Sequence, residues 1–455
     1  IHSDSAKGET INFELSKHGP RSIGRNYFRC KWIQYVIFFF SGKWTVYEAV
    51  KLLEGLEWGV AGRNEEKLKT ILKEMGDKAN KDLSTIPIIV ADVNDETSLA
   101  QMAEKAKIIV NCCGPYRFYG EPVVKACINA GTHHVDISGE PQYMERMQLE
   151  YNELAREKGV YIVSACGFDS IPADMGLQFF EKHFDGDVHS VETYLKAWNE
   201  GPVKGAGIHY GTWESAVYGL AHAKELSSIR EKLFKEPLPF SKPPQMKRPA
   251  LHKSELVNAW CLPFLGSDRS VMLRSQRTLY ETEKKRPVQV QTYMQFPSFL
   301  SALFVSFFGA IFGLLAKLKC GQQLLLKYPK FFSFGFFSHE GPSEENMKNS
   351  KFSITFYGQG WPKEESLAEP TDQHPTPPSK KLVTRVSGTN PGYGATCVAV
   401  LLSATTILNE THKLPDNGGV IAPGACFAKT NLISNLSKNG LTFEVISAHE
   451  NETNN

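Results

Sequence analysis

Lys107-Ile108-Ile109-Val110-Asn111-Cys112-Cys113-Gly114-Pro115-Tyr116 is the stretch that decides the fold. Its apolar residues run together instead of alternating with polar ones. A strand of that kind is covered on both faces, as strands of parallel sheets are. Gly114-Pro115 then breaks it sharply. Outward from this segment the same unit recurs. Residues 33–40, 57–61, 87–91, 133–137 and 160–163 read as five further strands. Helices are predicted from Val46 to Leu53, Asn64 to Lys78, Thr97 to Lys105, Pro122 to Ala130 and Pro141 to Lys158. Strands and helices that alternate with short connections imply a parallel sheet wrapped by helices, an α/β fold. Ligands on such sheets bind beyond the carboxyl ends of the strands. Those ends carry Arg63, Asp92, Gly114-Pro115-Tyr116, Ser138-Gly139-Glu140 and Gly167-Phe168-Asp169.

Past residue 175 the alternation stops. Strands are predicted at 190–197 and 351–357, and a helix at 211–224. Residues 235–253 read as a Pro- and Lys-rich linker and 361–379 as a loop. A helix at 394–410, a turn at 423–425, a helix at 428–438 and a strand at 441–446 follow. The expected organisation has an atypical N-terminus over 1–44, which includes a remnant of the first strand. A first domain covers 33–175, and a second α+β domain covers 176–392. Residues 393–447 return to the core, and 448–455 form a tail. The chain does not begin with Met, and its first 30 residues lack the layout of a secretory signal.

The net charge of +2 and the lack of long Lys/Arg runs exclude nucleic-acid binding by bulk electrostatics. Nine scattered cysteines, none in Cys-x-x-Cys spacing, support neither a disulfide framework nor a metal site. Buried reduced thiols suit a cytosol-facing protein. No charged residue lies between Arg286 and Lys317. Phe299 to Ala316 is almost wholly apolar, and 296–318 approaches the length of a membrane-crossing helix. A helix apolar on every side needs lipid or a large core around it. Soluble-looking sequence on both sides favours an in-plane or hairpin anchor, completed by the patch Phe331–Phe337.

Three motifs occur in order: Asn111 to Val124, Asp136-Ile137-Ser138-Gly139-Glu140-Pro141, and Gly167-Phe168-Asp169-Ser170-Ile171-Pro172-Ala173-Asp174. With Phe356-Tyr357-Gly358-Gln359-Gly360 and Gly419 to Ala425, the chain from about Thr45 to Ser447 resembles the animal saccharopine dehydrogenase-like oxidoreductases. The resemblance implies a Rossmann-type domain binding NADP or NAD, then an α+β domain bearing the apolar segment. It also implies association with lipid droplets, mitochondria or other membranes, and a role in glycolipid metabolism. One departure concerns the first turn, where such proteins carry several glycines. Here the stretch is Phe38-Phe39-Phe40-Ser41-Gly42-Lys43-Trp44, and only Gly42 remains. Glycines there let the backbone approach a pyrophosphate; Phe side chains are expected to fill that space. A misassembled or alternatively spliced origin of residues 1–44 is the expectation.

The cofactor-binding set expected is Gly42, Arg63, Asp92, Gly114, Pro115 and Tyr116. Arg63 would meet an NADP 2′-phosphate or cap a turn. Asp92 would meet adenine or cap a helix. Tyr116, Asp169 and Asp174 are the catalytic candidates, with helix capping the alternative for the two aspartates. Asp136 and Glu140 could form a polar wall, and His209 and Tyr210 could reach the same cleft. The partners expected are a lipid surface, a small-molecule or lipid substrate and, for assembly, a homodimer. Three readings stay open: a lipid-anchored oxidoreductase, a non-enzymatic lipid-droplet scaffold of Rossmann shape, and a soluble saccharopine-type reductase.

Overall fold

A computed structural model describes residues 33–39, 42–415 and 417–450. The expectations for the first 32 residues, for Phe40 and Ser41 and for the tail after 450 lie outside the described residues. The first six strands are β1 (Ile33–Phe39), β2 (Trp58–Gly62), β3 (Ile88–Val90), β4 (Ala106–Cys112), β5 (His133–Asp136) and β6 (Tyr161–Val163). They form a parallel seven-stranded sheet with the distant strand Gly419–Ile421, which pairs with β6. Reading across, β1 lies between β4 and β2. The order β3-β2-β1-β4-β5-β6 is that of a dinucleotide-binding sheet. Val36 and Ile37 of β1 are fully buried on opposite faces, as an unbroken apolar run requires.

Between the strands run α1 (Lys43–Leu52), α2 (Glu65–Ala79), α3 (Glu96–Glu104), α4 (Tyr116–Ala130) and α5 (Pro141–Glu157). Asn64 and Asp95 cap α2 and α3 through their side chains. One boundary differs from the sequence expectation. Helix α4 starts at Tyr116, six residues before Pro122, which sits inside it. The reason is Glu140, whose carboxylate accepts the N–H groups of Tyr116 and Arg117 and so nucleates the earlier start.

Helix α6 (Ile171–Phe184) leads into the long strand β7 (Gly186–Asn199), at the centre of a second, mixed seven-stranded sheet. Strands 350–362, 380–389 and 441–450 extend it on one side, and 289–296, 259–263 and 252–254 on the other. Residues 235–253 are not a free linker. Arg248 pairs with Glu192 at 2.8 Å and the Pro243 carbonyl meets His189 Nε2 at 2.7 Å, so the segment is strapped across the sheet. Around 423–425 the chain makes a short helix, Pro423–Cys426.

Helix and sheet interlock where α6 meets the strand Ser350–Pro362. A Cβ on Gly176 would lie 2.3 Å from Phe356 Cζ, and one on Gly358 would lie 2.2 Å from Phe180 Cζ. Each glycine is the socket for the other element's ring.

The apolar helix Phe299–Ala316 is capped by Ser298 and has only Ala302 and Ala316 buried among its 18 residues. Leu300, Phe307 and Leu314 are 74%, 60% and 63% exposed. The other long apolar segment, Pro391–Asn409, is mostly inside the core. Phe334 packs on Phe304 and Phe308 with ring centroids 5.3 and 4.7 Å away, so the Phe331–Phe337 patch continues the apolar face of the helix.

The interlock sets a packing test. Gly176→Val is expected to destabilise the chain by ~2–3 kcal/mol through overpacking, read from its urea midpoint. Adding Phe356→Leu should recover part of that loss. Equal midpoints for wild type and Gly176→Val would refute the close fit.

Candidate functional site

The carboxyl edge of the first sheet gathers most of the residues singled out from sequence. Gly42 is the N-cap of α1, which has no side-chain cap and no acidic residue in its first turn. Lys43 adds a cation there and pairs with Glu74. Arg63 follows β2 and is exposed. This set, the start of α1 with Lys43 and Arg63 nearby, suits a phosphate-bearing dinucleotide. Phe38 does not fill the cradle. It is 2% exposed and packs into the core beside Val36 and Ala61. Phe39 and Phe40 side chains are outside the described residues.

Asp92 lies beyond β3, but its carboxylate is occupied locally. It accepts the Asn94 N–H at 2.9 Å and holds its own turn. Gly114 and Pro115 form the turn after β4. Tyr116 is buried, and its hydroxyl donates to the Asn111 carbonyl at 2.8 Å while the Ile137 N–H approaches it at 3.4 Å. Its phenol therefore ties the β4 turn to the β5 turn and faces no substrate space. Burial holds its pKa well above the usual phenol value.

Asp136 and Glu140 organise the β5 end. Asp136 is fully buried and accepts from the Ser138 and Ala165 N–H groups and from the Ser164 and Tyr143 hydroxyls. Burial nevertheless pushes its pKa up to about 6, against the pull of those hydrogen bonds. Glu140 adds the Ser215 hydroxyl at 2.9 Å to its two backbone donors.

The two aspartates after β6 part company. Asp169 is half-buried, with Oδ2 only 3.0 Å from where a Gly139 Cβ would stand, so its carboxyl lies against the β5 turn. Burial raises its pKa. Asp174 is inaccessible. It accepts from Ser275 Oγ and the Gly424 N–H, both at 2.6 Å, and welds α6 to the helix Asp268–Glu283 and to Pro423–Cys426. It is a structural group, not a substrate contact, and burial pushes its pKa up to about 6. Gly424 is obligatory there, because a Cβ would sit 2.4 Å from Asp174 Oδ1.

Sequence reasoning missed Asp268. It is buried, and burial followed by the Asp169 and Asp174 carboxylates drives its pKa well above the ordinary range. Oδ1 of both Asp174 and Asp268 lacks a hydrogen-bond partner among the described residues. Ser170 Oγ meets Ser267 Oγ at 3.0 Å, locking the β6 turn to the start of that helix. Only the Ser267-Asp268 helix start hinted at it, and nothing in sequence linked it to Asp169. Cys112 is half-buried and desolvation pushes its thiol up to about 12, which disfavours a thiolate nucleophile. Among the described residues no cluster of His, Cys, Asp or Glu is arranged to hold a metal.

Residues 42–163 match the saccharopine dehydrogenase NADP binding domain family. The chain is 42% identical over 397 residues to a human saccharopine dehydrogenase-like oxidoreductase, covering 87% of this chain and 91% of the human one. A Caenorhabditis elegans relative called lipid droplet localized protein is 37% identical, with 90% of this chain and 97% of that protein covered. A probable mitochondrial saccharopine dehydrogenase-like oxidoreductase of Arabidopsis thaliana is 36% identical, with 90% and 94% covered.

The Asp136 site has a pH signature. The unfolded carboxyl ionises near 3.8 and the folded one near 6, so the folded chain holds more protons between them. The contribution to stability is complete below the lower value and is lost as pH rises through the upper one. Relative to Asp136→Asn, the wild type should lose ~2–3 kcal/mol across that window and run parallel above about pH 7. Urea titrations at each pH measure this, and a constant difference would refute it.

Proposed function

The chain belongs to the saccharopine dehydrogenase-like oxidoreductase family and carries its NADP-binding domain, and on that premise we propose that it is an NAD(P)-dependent oxidoreductase working at a lipid surface. The reading rests on one juxtaposition. A dinucleotide-type sheet and an almost wholly apolar, solvent-facing helix occur in one chain.

Gly42 and the first turn of α1 would hold the pyrophosphate, and Arg63 a 2′-phosphate. Gly114 and Pro115 would flank the nicotinamide half. Bound cofactor would supply or accept the hydride. The chain's part is to orient the partners and handle the proton. Asp169 is the group we assign to the substrate side, because it follows β6, lies against the β5 turn and is half-open, unlike Tyr116 and Asp174.

The helix Phe299–Ala316 and the Phe331–Phe337 patch would enter the lipid in the plane of its surface. The names of the worm and plant relatives suit a lipid droplet or a mitochondrial membrane, with the sheet domain facing the cytosol. A role in glycolipid metabolism fits the same surface. The scaffold alternative draws on one fact, that the family match begins at Gly42, after the first strand. Cofactor binding separates the two.

NADPH should bind saturably, as read by nucleotide fluorescence, and Arg63→Ala should weaken it at least ~10-fold while NADH changes little. Failure to bind either nucleotide would leave the scaffold. Independently, Leu303→Asp with Phe307→Asp should abolish flotation with phosphatidylcholine-coated triolein emulsions and leave NADPH affinity intact. Undiminished flotation would refute the anchor.

A further inference from the structure

Helix α7 (Tyr210–Ala221) stands between the apolar surface and the sheet edge. Trp213 and Val217 are buried on one side with Ala316 and Leu325, and Trp213 Nε1 donates to the Leu325 carbonyl at 2.9 Å. On another side Ser215 donates to Glu140, and Arg117 Nη1 donates to the Tyr218 carbonyl at 3.2 Å. One helix, about 10 Å across, thus separates the lipid-facing residues from the β4 and β5 turns.

Tyr210 and Glu214 lie one turn apart on α7 and are half-buried, Tyr210 against the Trp213 cluster. The His339 ring stacks on Tyr210 with centroids 4.0 Å apart. Glu214 lies in the field of the His339 imidazole and the Glu140 carboxylate, and accepts no hydrogen bond from the described residues. The His209 N–H donates to Tyr393 Oη at 3.1 Å. Tyr393 belongs to the π-helical turn Pro391–Ala395, a kind of turn frequent at functional sites. The next residue, Thr396, accepts the Phe168 N–H at 3.0 Å, so this wall reaches the β6 turn that carries Asp169.

The apolar patch runs into this cluster. Phe331, Phe334 and Phe336 are 76%, 64% and 50% exposed, and Phe337-Ser338-His339 follows with no charge between. A partly open carboxylate with no donor among the described residues is available to accept from a ligand hydroxyl, and a contiguous exposed apolar patch suits hydrocarbon.

We infer that Tyr210, Glu214, His339 and Tyr393 receive the hydroxyl-bearing head of a long-chain lipid substrate whose tail lies along the Phe331–Phe337 patch. This rests on the oxidoreductase reading above, and it makes the substrate a lipid drawn from the surface on which the protein sits. Burial raises the Glu214 pKa, Glu140 adds to that and His339 opposes it. A carboxylate so placed can accept from a hydroxyl.

The test is photolabelling of the full chain with a hexadecanol carrying a diazirine beside its hydroxyl, mapped residue by residue by mass spectrometry. Label is expected on Tyr210 and His339 as well as on 299–316. A tenfold excess of 1-hexadecanol should remove the cleft label, and 1-butanol should not. Glu214→Ala should cut label on Tyr210 and His339 at least fivefold and leave 299–316 unchanged, and Glu214→Gln should restore it. Label confined to 299–316 and 331–337, or cleft label unaltered by Glu214→Ala, would overturn the inference. NADPH binding, measured on the same samples, reports separately on the oxidoreductase reading.

Discussion

Strand β1 is the element on which the first sheet depends. It is hydrogen-bonded to β4 on one side and β2 on the other, and its side chains enter the cores on both faces. A polar residue at Val36 or Ile37 would be buried without a partner. With β1 fixed, the ends of β2, β4, β5 and β6 open on one edge, and α1 begins at that edge. Everything read here as cofactor or substrate contact is arranged from that edge outward.

The first sheet was legible because its strands are unbroken apolar runs with turn residues between them. The second sheet was only partly legible. Its strands 190–197, 351–357 and 441–446 were visible, whereas 289–296 and 380–389 carry mixed polar and apolar residues, and 289–296 pairs with a strand about a hundred residues earlier. The apolar helix announced itself as a gap in charge, and its exposure separates it from the less apolar, mostly buried helix near 396–409. Site residues were legible by position and not by role. Tyr116 and Asp174 stood in the right motifs, yet the Tyr116 hydroxyl and Asp174 Oδ2 are bonded inside the fold. Asp174 meets Ser275 and Gly424, which lie 101 and 250 residues away, and no local pattern encodes such partners.

Carboxylates carry much of the long-range order. Glu140 starts α4 and holds α7, Asp136 gathers four donors under the β5 and β6 turns, and Glu145 is paired with Arg230 from the following helix at 2.7 Å. Each joins segments that hydrophobic packing alone would leave free to slide. The two surfaces of the protein, one suited to a dinucleotide and one to lipid, are therefore connected through hydrogen bonds at α7 as well as through apolar contact.

The strand Gly419–Ile421 closes the edge of the first sheet beside β6, and the strand Leu441–Glu450 closes an edge of the second. Both come from the last part of the described chain. During vectorial synthesis, β6 leaves the ribosome long before its neighbour exists, and the helix Phe299–Ala316 also emerges before either sheet is complete. Nascent chains would thus display a greasy helix and two open sheet edges at once. Early capture of that helix by a lipid surface or a chaperone would shield it while the closing strands are still being made.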